Sequence, residues 1–328
     1  GAEVWDAADN IPAHTDRKIY SYNSTSASFA AYAFTDSNLS LIQRVASAAG
    51  GSLPTADQVN YVRGNQTNES ATGFRVRSSL LGDVINSDPL FVGKPTFGYS
   101  QLGSDSEGGT YDAYRAGSPY TDRPNLLFIG ANDGMLHGFS FDYTNNSATG
   151  TELFAYIPSA VVGNLTKLSD RDYSHQYYVD GSVTYSDAYI DMNGMASGET
   201  KGWRTVLVGT TGAGGSGVYA LDISEPESFT KDDVLWDIST NNATNIFFDV
   251  GNNRLNSDVF NDLGFTIGEA SIVRMADGHF YAVFGNGYDS DPDGDPDTDD
   301  SKAVLYIVGL DDADGDGDME VIALDTGT

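Results

Sequence analysis

The chain has 328 residues, of which 40% are hydrophobic and 12% aromatic, so it can build a sizeable core as one large all-β domain or two smaller ones. Its 47 acidic and 17 basic side chains give a formal net charge of −30, which repels phosphate backbones and argues against nucleic-acid binding. The absence of cysteine excludes disulfides and thiolate metal sites, and no apolar run reaches the about 18 residues that a transmembrane helix needs. The first residues, Gly1-Ala2-Glu3, lack an initiator Met and a signal peptide, so we expect a mature or excised segment of a longer precursor.

The first 124 residues predict two helices and a long loop. Residues 39–49 are predicted to be helical. Thr55 and Gln58, which follow Pro54, form a capping box, so a second helix is expected to begin there and to end near Gly64. Residues 103–118 are polar and rich in glycine, which predicts a loop.

From residue 125 onward, three copies of one pattern follow: an apolar strand, glycine, a turn and a second strand. The first copy joins residues 126–129 to 135–141 through Asn132-Asp133-Gly134, which predicts a hairpin with a primed turn. The second copy uses residues 205–208 and 218–223, and the third uses 280–284 and 303–308. Between the first two copies, a helix is predicted over residues 158–168, because its apolar residues share one face: Val161, Val162, Leu165 and Leu168.

The repeat spacing of several tens of residues favours a β-propeller over a single sandwich. Three clear copies are too few to close a ring. Either the blades before residue 125 are degenerate, or the chain stops partway around the ring. We therefore predict a mainly β propeller-type fold with a few short helices and one domain over residues 1–328, with degenerate blades and helices in 1–124 and clearer blades in 125–328.

Two Asp-rich segments in the third copy have the spacing of calcium-binding loops. In both, carboxylates occupy positions 1, 3, 5 and 9 and glycine occupies position 6, as in an EF-hand loop. Calcium takes six to eight oxygens at about 2.3 to 2.6 Å, which alternate side chains of a curled loop can supply, together with the carbonyl at position 7. The candidate ligands of the first segment are Asp289, Asp291, Asp293, Asp295 and Asp297. The candidate ligands of the second segment are Asp312, Asp314, Asp316, Asp318 and Glu320.

A solvated acidic turn, inserted as an adaptation to salt, is the alternative interpretation of both segments. Neither segment has the flanking helices of an EF-hand, and Ala323 stands at position 12 of the second, where an EF-hand has glutamate. The second segment is the better match, because Met319 at position 8 can pack beneath the site. Thirteen carboxylates and one lysine between Asp289 and Glu320 would repel one another without a counterion, which favours metal binding.

The remaining motifs favour structural roles over catalysis. The glycine run at residues 212–217 contains the Gly-x-Gly-x-x-Gly pattern, but a strand pattern follows it instead of a helix, which indicates a turn within a blade. None of the four histidines has the spacing of a zinc motif, and no Gly-x-Ser-x-Gly nucleophile motif is present. A Ser-His-Asp arrangement of distant residues stays open from these patterns alone.

Several segments in order along the chain together resemble the C-terminal propeller domain of the PilY-type adhesins of bacterial type IV pili. They are residues 5–8, 61–64, 77–87, 130–137, 156–159, 175–181, 263–269 and 284–288.

This resemblance implies a modified seven-bladed propeller that binds Ca²⁺ at the cell surface and takes part in adhesion, pilus assembly and the control of extension against retraction. It also implies export through the periplasm to the pilus tip, with minor pilins and a host or abiotic surface as partners. Asp312, Asp314, Asp316 and Glu320 match the family's calcium motif, whereas residues 289–300 have no secure counterpart there. The prediction that the protein is not an enzyme comes from the acidic segments together with this family resemblance.

Two alternatives come from other classes of protein. A quinoprotein dehydrogenase is suggested by Asp133-Gly134-Met135-Leu136 and by residues 150–154, which resemble the blade repeats of those enzymes. Three tryptophans, the lack of vicinal cysteines and the lack of evident axial ligands for the cofactor argue against it. The other alternative is a structural surface protein that calcium stiffens.

Overall fold

Three large β-sheets carry the fold in this computed structural model, which describes residues 5–23, 30–103, 106–144, 147–191, 201–239, 259–260, 262–289, 302–311 and 319–327. The strands in these ranges are β1 (Ile19–Tyr22), β2 (Ala31–Ala33), β3 (Leu90–Val92), β4 (Leu126–Ala131), β5 (Met135–Ser140), β6 (Asp142–Thr144), β7 (Ser147–Thr149), β8 (Glu152–Ile157), β9 (Val183–Asp191), β10 (Lys201–Thr210), β11 (Gly217–Asp222), β12 (Val234–Ser239), β13 (Ser271–Arg274), β14 (Phe280–Gly285), β15 (Val304–Gly309) and β16 (Val321–Asp325). The α-helices are α1 (Leu39–Ala48), α2 (Ala56–Val62) and α3 (Gly108–Ala116). Short 3₁₀ helices cover Ala8–Asn10, Asp36–Asn38, Tyr99–Gln101, Ser159–Ser169, Gly212–Gly214, Pro226–Ser228 and Lys231–Asp233.

The first sheet has six strands in the order β2-β1-β8-β5-β4-β3. Strands β3, β4, β5 and β8 pair antiparallel and form blade 1. Strand β1, from the N-terminal part of the chain, pairs parallel with β8, and β2 pairs antiparallel with β1. The N-terminal part therefore extends the outer edge of blade 1, while a small β6-β7 hairpin lies in the connection from β5 to β8.

Two four-stranded antiparallel sheets follow: blade 2, with the order β9-β10-β11-β12, and blade 3, with the order β13-β14-β15-β16. Strand β9 contacts β3 of blade 1 and β13 of blade 3, so the first strands of the three blades lie side by side. Consecutive four-stranded blades with adjacent first strands are the arrangement of a propeller. The prediction of a mainly β, propeller-type fold is confirmed.

Two hydrophobic clusters hold the blades together. One lies between the N-terminal helices, blade 1 and blade 2, and the other lies between blades 2 and 3. Blade 3 buries Tyr306 and Val308 against blade 2, because alternate residues of a strand share one face. On its opposite face, Ile322 and Leu324 are 44% and 45% exposed, so the described residues cover them only in part.

The sequence prediction of the three hairpins and of the first two helices is confirmed. The capping box begins α2: Thr55 Oγ1 accepts from Gln58 N at 3.2 Å, and Gln58 Oε1 accepts from Thr55 N at 3.0 Å. The helix predicted over residues 158–168 is a 3₁₀ helix that packs against α1 and α2. The glycine run at 212–217 lies between β10 and β11, as predicted.

The loop prediction over residues 103–118 was wrong, because α3 occupies most of that range. Tyr111 and Tyr114 of α3 pack on Trp203 with ring centroids 4.5 and 6.4 Å away, and Tyr111 Oη donates to the buried Asp187 at 2.7 Å. Most of a helix's stability comes from tertiary packing, which here outweighs the low helix propensity of two glycines. None of the described helices is both long and apolar enough to cross a membrane.

Candidate functional site

The two acidic segments leave blade 3 at opposite ends of β15. The first connects β14 to β15, and the second connects β15 to β16. Because these strands are antiparallel, the two connections are separated by the length of β15, which is about 17 Å for a strand of this length. We therefore regard the two segments as separate candidate sites that join blade 3 at opposite ends of β15.

Most of the predicted calcium ligands lie outside the described residues, so their binding stays a prediction. Asp289 and Glu320 are described. The other candidates are not: Asp291, Asp293, Asp295, Asp297, Asp312, Asp314, Asp316 and Asp318. Within the described ranges, no group of three or more His, Asp or Glu side chains is placed to hold a metal ion.

The second segment returns to blade 3 at Met319 and Glu320. The Gly309 N–H at the end of β15 donates to the Glu320 carbonyl at 2.8 Å. Met319 is 3% exposed and belongs to the cluster between blades 2 and 3, so this side chain is buried as predicted. Gly309 allows both ends of the segment to approach β15 closely, because a Cβ there would lie 2.8 Å from the Asp311 carbonyl oxygen and 3.2 Å from Glu320 Oε2.

Asp311 ties the start of the second segment to blade 2. Its Oδ2 accepts from Asp191 N at 3.0 Å and pairs with Lys201 Nζ at 3.1 Å, although Asp311 is only 1% exposed. Burial raises the pKa of Asp311, an effect that Lys201 opposes. Its Oδ1 is buried and has no hydrogen-bond partner among the described residues. Asp311 was not predicted as a site residue, because its only mark in the sequence is its place directly before Asp312.

The first segment begins at Asp289. The backbone of the preceding residue, Tyr288, is held in place by hydrogen bonds. Tyr288 and Phe265 exchange two backbone hydrogen bonds of 2.7 and 3.0 Å. The Gly264 backbone lies so close that a Cβ would come within 2.2 Å of the Tyr288 carbonyl. Asp289 is exposed and has a φ of 56°, a left-handed conformation that aspartate tolerates better than most residues.

Three of the family-like segments meet at one place, which we call the motif junction: Gly82, Asp83, Asn132, Asp133 and His175. Asp83 Oδ2 accepts from Asn132 Nδ2 at 3.1 Å and lies 2.8 Å from His175 Nε2. The Gly82 N–H donates to Asp133 Oδ2 at 3.0 Å. Burial acts to raise the pKa of Asp83, but the hydrogen bonds from Asn132 and His175 lower it overall.

Neighbouring residues of the same segments also bond to one another. Asp180 accepts from Asn86 N at 3.0 Å and from Asn86 Nδ2 at 2.6 Å. Ser87 Oγ accepts from the Gly130 N–H at 2.9 Å. Stretches that are far apart in the sequence therefore fix the position of the β4-β5 hairpin relative to the start of blade 2.

Behind the junction lies a buried ionic network of Arg17, Glu152, His137 and Asp133. His137 Nδ1 is 2.7 Å from Glu152 Oε1, and its Nε2 is 3.1 Å from Asp133 Oδ2. Burial acts to lower the pKa of His137, but Asp133 and Glu152 raise it to about 9. Burial acts to raise the pKa of Glu152, but His137 and Arg17 lower it to about 2. Two cations and two carboxylates thus balance each other, which makes this network a structural element.

A family model and several known proteins match this chain in sequence. The model of the PilY1 β-propeller domain matches residues 81–322. A type IV pilus biogenesis factor PilY1 homolog of Xylella fastidiosa is 37% identical over 272 residues, which are 80% of this chain and 15% of that protein. The type IV pilus biogenesis factor PilY1 of Pseudomonas aeruginosa strain PAK is 37% identical over 258 residues, which are 77% of this chain and 18% of that protein.

The crystal structure of the Pseudomonas aeruginosa PilY1 C-terminal domain is 30% identical in sequence, and the match covers 73% of this chain and 37% of that one with a TM-score of 0.44. The chain spans less than a fifth of the length of the two relatives above, at 15% and 18%.

Proposed function

Because the chain belongs to the PilY1 β-propeller domain family, we propose that it is part of a type IV pilus biogenesis factor. The match of the family model to residues 81–322 carries this proposal. The motif junction supports it, because three of the family-like segments bond to one another there. These contacts give the family-like segments a structural role, because they hold blade 1 and the start of blade 2 in position.

We propose that the protein acts without catalysis, at the pilus tip on the cell surface, after export through the periplasm. Its proposed partners are minor pilins and a host or abiotic surface, and its proposed roles are attachment and control of pilus extension and retraction. The whole of residues 1–328 is proposed to form one domain or part of one. The pairing of β1 with β8 supports this proposal, since it joins the N-terminal part to blade 1.

We further propose that the second acidic segment binds Ca²⁺ through Asp312, Asp314, Asp316 and Glu320, with Asp318 contributing its carbonyl. The ligand set suits calcium, a hard cation that prefers carboxylate and carbonyl oxygens. Described residues at the ends of this segment are consistent with the same cation: Glu320 Oε2 and the Asp311 carbonyl oxygen lie near Gly309. Asp311 Oδ1 is a buried carboxylate oxygen that makes no hydrogen bond with described residues and lies 4.0 Å from His279 Nδ1. Bound calcium would offset the repulsion among these carboxylates. The first segment, Asp289 to Asp297, is proposed as a separate calcium site at the other end of β15.

The pilus proposal is tested by locating the full-length protein in the organism that encodes it. Surface appendages are sheared from the cells, and an antibody raised against residues 1–328 is used to detect the protein in the pilus fraction. The control is an isogenic strain that lacks the major pilin. We expect the protein in the sheared fraction of the piliated strain and its loss from that fraction in the control. Equal amounts in both fractions would show that the protein does not depend on pili for its location.

A further inference from the structure

One end of blade 1 contains a cavity of about 560 Å³ that none of the roles above uses. Strands β3 and β5 end there, and β4 and β8 begin there, so loops from all four strands of the blade form its walls. Its lining includes Lys94, Arg123, Asn125, Phe141, Asp142 and Thr149. Its volume falls within the range of about 300 to 1,000 Å³ that is usual for small-molecule sites.

Arg123 is the unusual residue of this cavity, because it is 4% exposed and has no carboxylate partner among the described residues. Its Nη2 donates to the Gly93 carbonyl at 2.7 Å. Its Nε and Nη1 are buried and have no acceptor in the described part of the chain. The Tyr120 ring, 5.1 Å from the guanidinium carbon, compensates only in part, since a cation–π contact leaves these two buried N–H donors without an acceptor. A ligand with an anionic oxygen beside Arg123 would supply the missing acceptor.

Lys94 adds a second positive charge to the same cavity. Its Nζ donates to the Thr121 carbonyl at 2.8 Å, which uses one of its three donors. The charge of −30 on the whole chain does not rule out an anion here, because charges farther away than about 8 Å are largely screened at physiological salt. Among the residues that line the cavity, the two basic side chains of Lys94 and Arg123 outnumber the one acidic side chain of Asp142.

The other lining groups indicate what else the ligand carries. The side chains of Asn125 and Thr149 make no hydrogen bonds with described residues, so they are available for hydroxyl groups. The Asp142 carboxylate accepts hydrogen bonds and repels a second negative charge. Phe141 gives one wall an apolar surface, and it is supported by edge contacts with Trp5 and Phe91 at 5.6 and 6.4 Å between ring centroids.

The walls are held in place before any ligand arrives. The Trp5 indole N–H donates to the Gly150 carbonyl at 3.3 Å, and the Phe141 N–H donates to the Asn125 carbonyl at 2.9 Å. Ser140 and Thr151 are joined by a backbone hydrogen bond of 2.9 Å and by two bonds of the Ser140 hydroxyl, at 3.1 and 3.3 Å. Such preorganisation lowers the entropic cost of binding.

We propose that this cavity binds an acidic saccharide, with the sugar carboxylate at Arg123 and Lys94 and the sugar hydroxyls at Asn125, Thr149 and Asp142. A single carboxylate fits better than a phosphate monoester, which carries a charge of about −1.5 to −2 and would be repelled more strongly by Asp142. The guanidinium of Arg123 suits a carboxylate, which it can bind through two parallel hydrogen bonds.

Isothermal titration of the full chain with a glucuronic acid disaccharide tests this assignment, with a neutral disaccharide, a sugar phosphate and a sulfated sugar as comparison ligands. We expect the uronic acid to bind and the neutral sugar to bind at least about tenfold more weakly, since one charge-assisted hydrogen bond is worth about 1.5 kcal/mol or more. Arg123→Gln should abolish binding. Lys94→Gln changes an exposed residue, and it should weaken binding about tenfold.

The matched control is Lys231→Gln, which removes one positive charge from an exposed lysine outside the cavity and should leave the affinity unchanged. Three outcomes would overturn the proposal. They are no binding of the uronic acid at millimolar concentration, equal affinity of the wild type and Lys94→Gln, and tighter binding of the phosphate or sulfate than of the carboxylate.

Discussion

Arg17 and Glu152 form a bidentate ion pair inside the protein, with Nε to Oε2 at 2.6 Å and Nη2 to Oε1 at 2.7 Å. Both side chains are 1% exposed. Arg17 lies just before β1 and Glu152 begins β8, so the pair joins the N-terminal extension to blade 1 where these two strands run parallel. Arg17 Nη1 also donates to the Arg63 carbonyl at 2.9 Å, which brings the end of α2 into the same contact.

Replacing Arg17 with Met should destabilise the protein strongly. The substitution leaves the Glu152 carboxylate buried without its guanidinium partner, and breaking a buried pair in this way typically costs about 3 to 5 kcal/mol. The free energy of unfolding from a urea titration measures the loss. As a control, Lys231→Met breaks a pair whose side chains are 53% and 76% exposed, and it should cost less than about 1 kcal/mol. Similar losses in both variants would contradict a structural role for the buried pair.

The stability that His137 provides should depend on pH. Its pKa is about 9 in the folded protein against 6.5 for the free side chain, because Asp133 and Glu152 outweigh the effect of burial. A group with a raised pKa stabilises the fold fully below its unfolded pKa, here about 6.5, and this contribution is lost as the pH rises through about 9. The shift corresponds to a stabilisation on the order of 3 kcal/mol.

The measurement compares the wild type with His137→Asn by urea unfolding at about pH 6 and about pH 9.5. We expect a large difference in the free energy of unfolding at the lower pH and a much smaller one at the higher pH. Around the ring, the charged groups that contribute are Asp133, Glu152 and, through Glu152, Arg17. His175→Asn, which changes a histidine with a 42% exposed side chain, is the control. A difference for His137→Asn that does not vary with pH would refute the charged state assigned to His137.

Which parts of the fold the sequence predicts depends on how far apart the interacting residues lie. The hairpin at Asn132-Asp133-Gly134 and the capping box at Thr55 are local signals, and both were predicted correctly. Arg17 and Glu152 are 135 residues apart, and no local pattern marks them as partners. Helix α3 was missed for the same reason, because its stability comes from the distant Trp203 and Asp187.

The candidate sites also combine features that local sequence predicts with features that only the fold reveals. The regular spacing of acidic residues predicts two possible cation-binding segments, since such a loop draws its ligands from neighbouring residues. Their placement at opposite ends of β15 follows from the strand order, which spacing does not reveal. Arg123 and Lys94 are 29 residues apart along the chain. The fold places them in one cavity, and no sequence motif connects them.

Gly214 should not tolerate alanine, whereas its neighbour Gly215 should. A Cβ on Gly214 would lie 1.6 Å from the Tyr178 carbonyl oxygen, which belongs to the backbone and cannot move easily. A Cβ on Gly215 would meet Ala160 Cβ at 3.5 Å, an ordinary contact, and its φ of 165° is extended. We expect Gly214→Ala to cost about 3 kcal/mol and Gly215→Ala about 0.5 kcal/mol or less in thermal or urea unfolding. Equal effects would mean that Gly214 is not required for close packing against the Tyr178 backbone.

Calcium should raise the thermal stability of the chain through the second acidic segment. A ligand that binds only the folded state stabilises it by mass action, by about 2.7 kcal/mol at a concentration one hundred times its Kd. Calorimetric melts of the metal-stripped chain, with calcium and then with chelator, measure the effect. We expect the midpoint to rise with calcium, to fall again with chelator, and to respond much less to magnesium, which demands a near-octahedral site and gives up its water reluctantly.

Single substitutions assign this effect to one segment. Asp316→Asn removes a proposed ligand of the second segment and should abolish most of the calcium-dependent rise, because affinity in such loops depends on the number of charged ligands. Asp293→Asn tests the first segment, and any loss there should add to the loss from Asp316→Asn, since the two segments join blade 3 at opposite ends of β15. Asp325→Asn removes one exposed negative charge from the end of β16 and serves as the control for a general charge effect. A calcium response that is unchanged in Asp316→Asn, or reduced equally in Asp325→Asn, would rule out the second segment as the site and support the alternative that it is a solvated acidic turn.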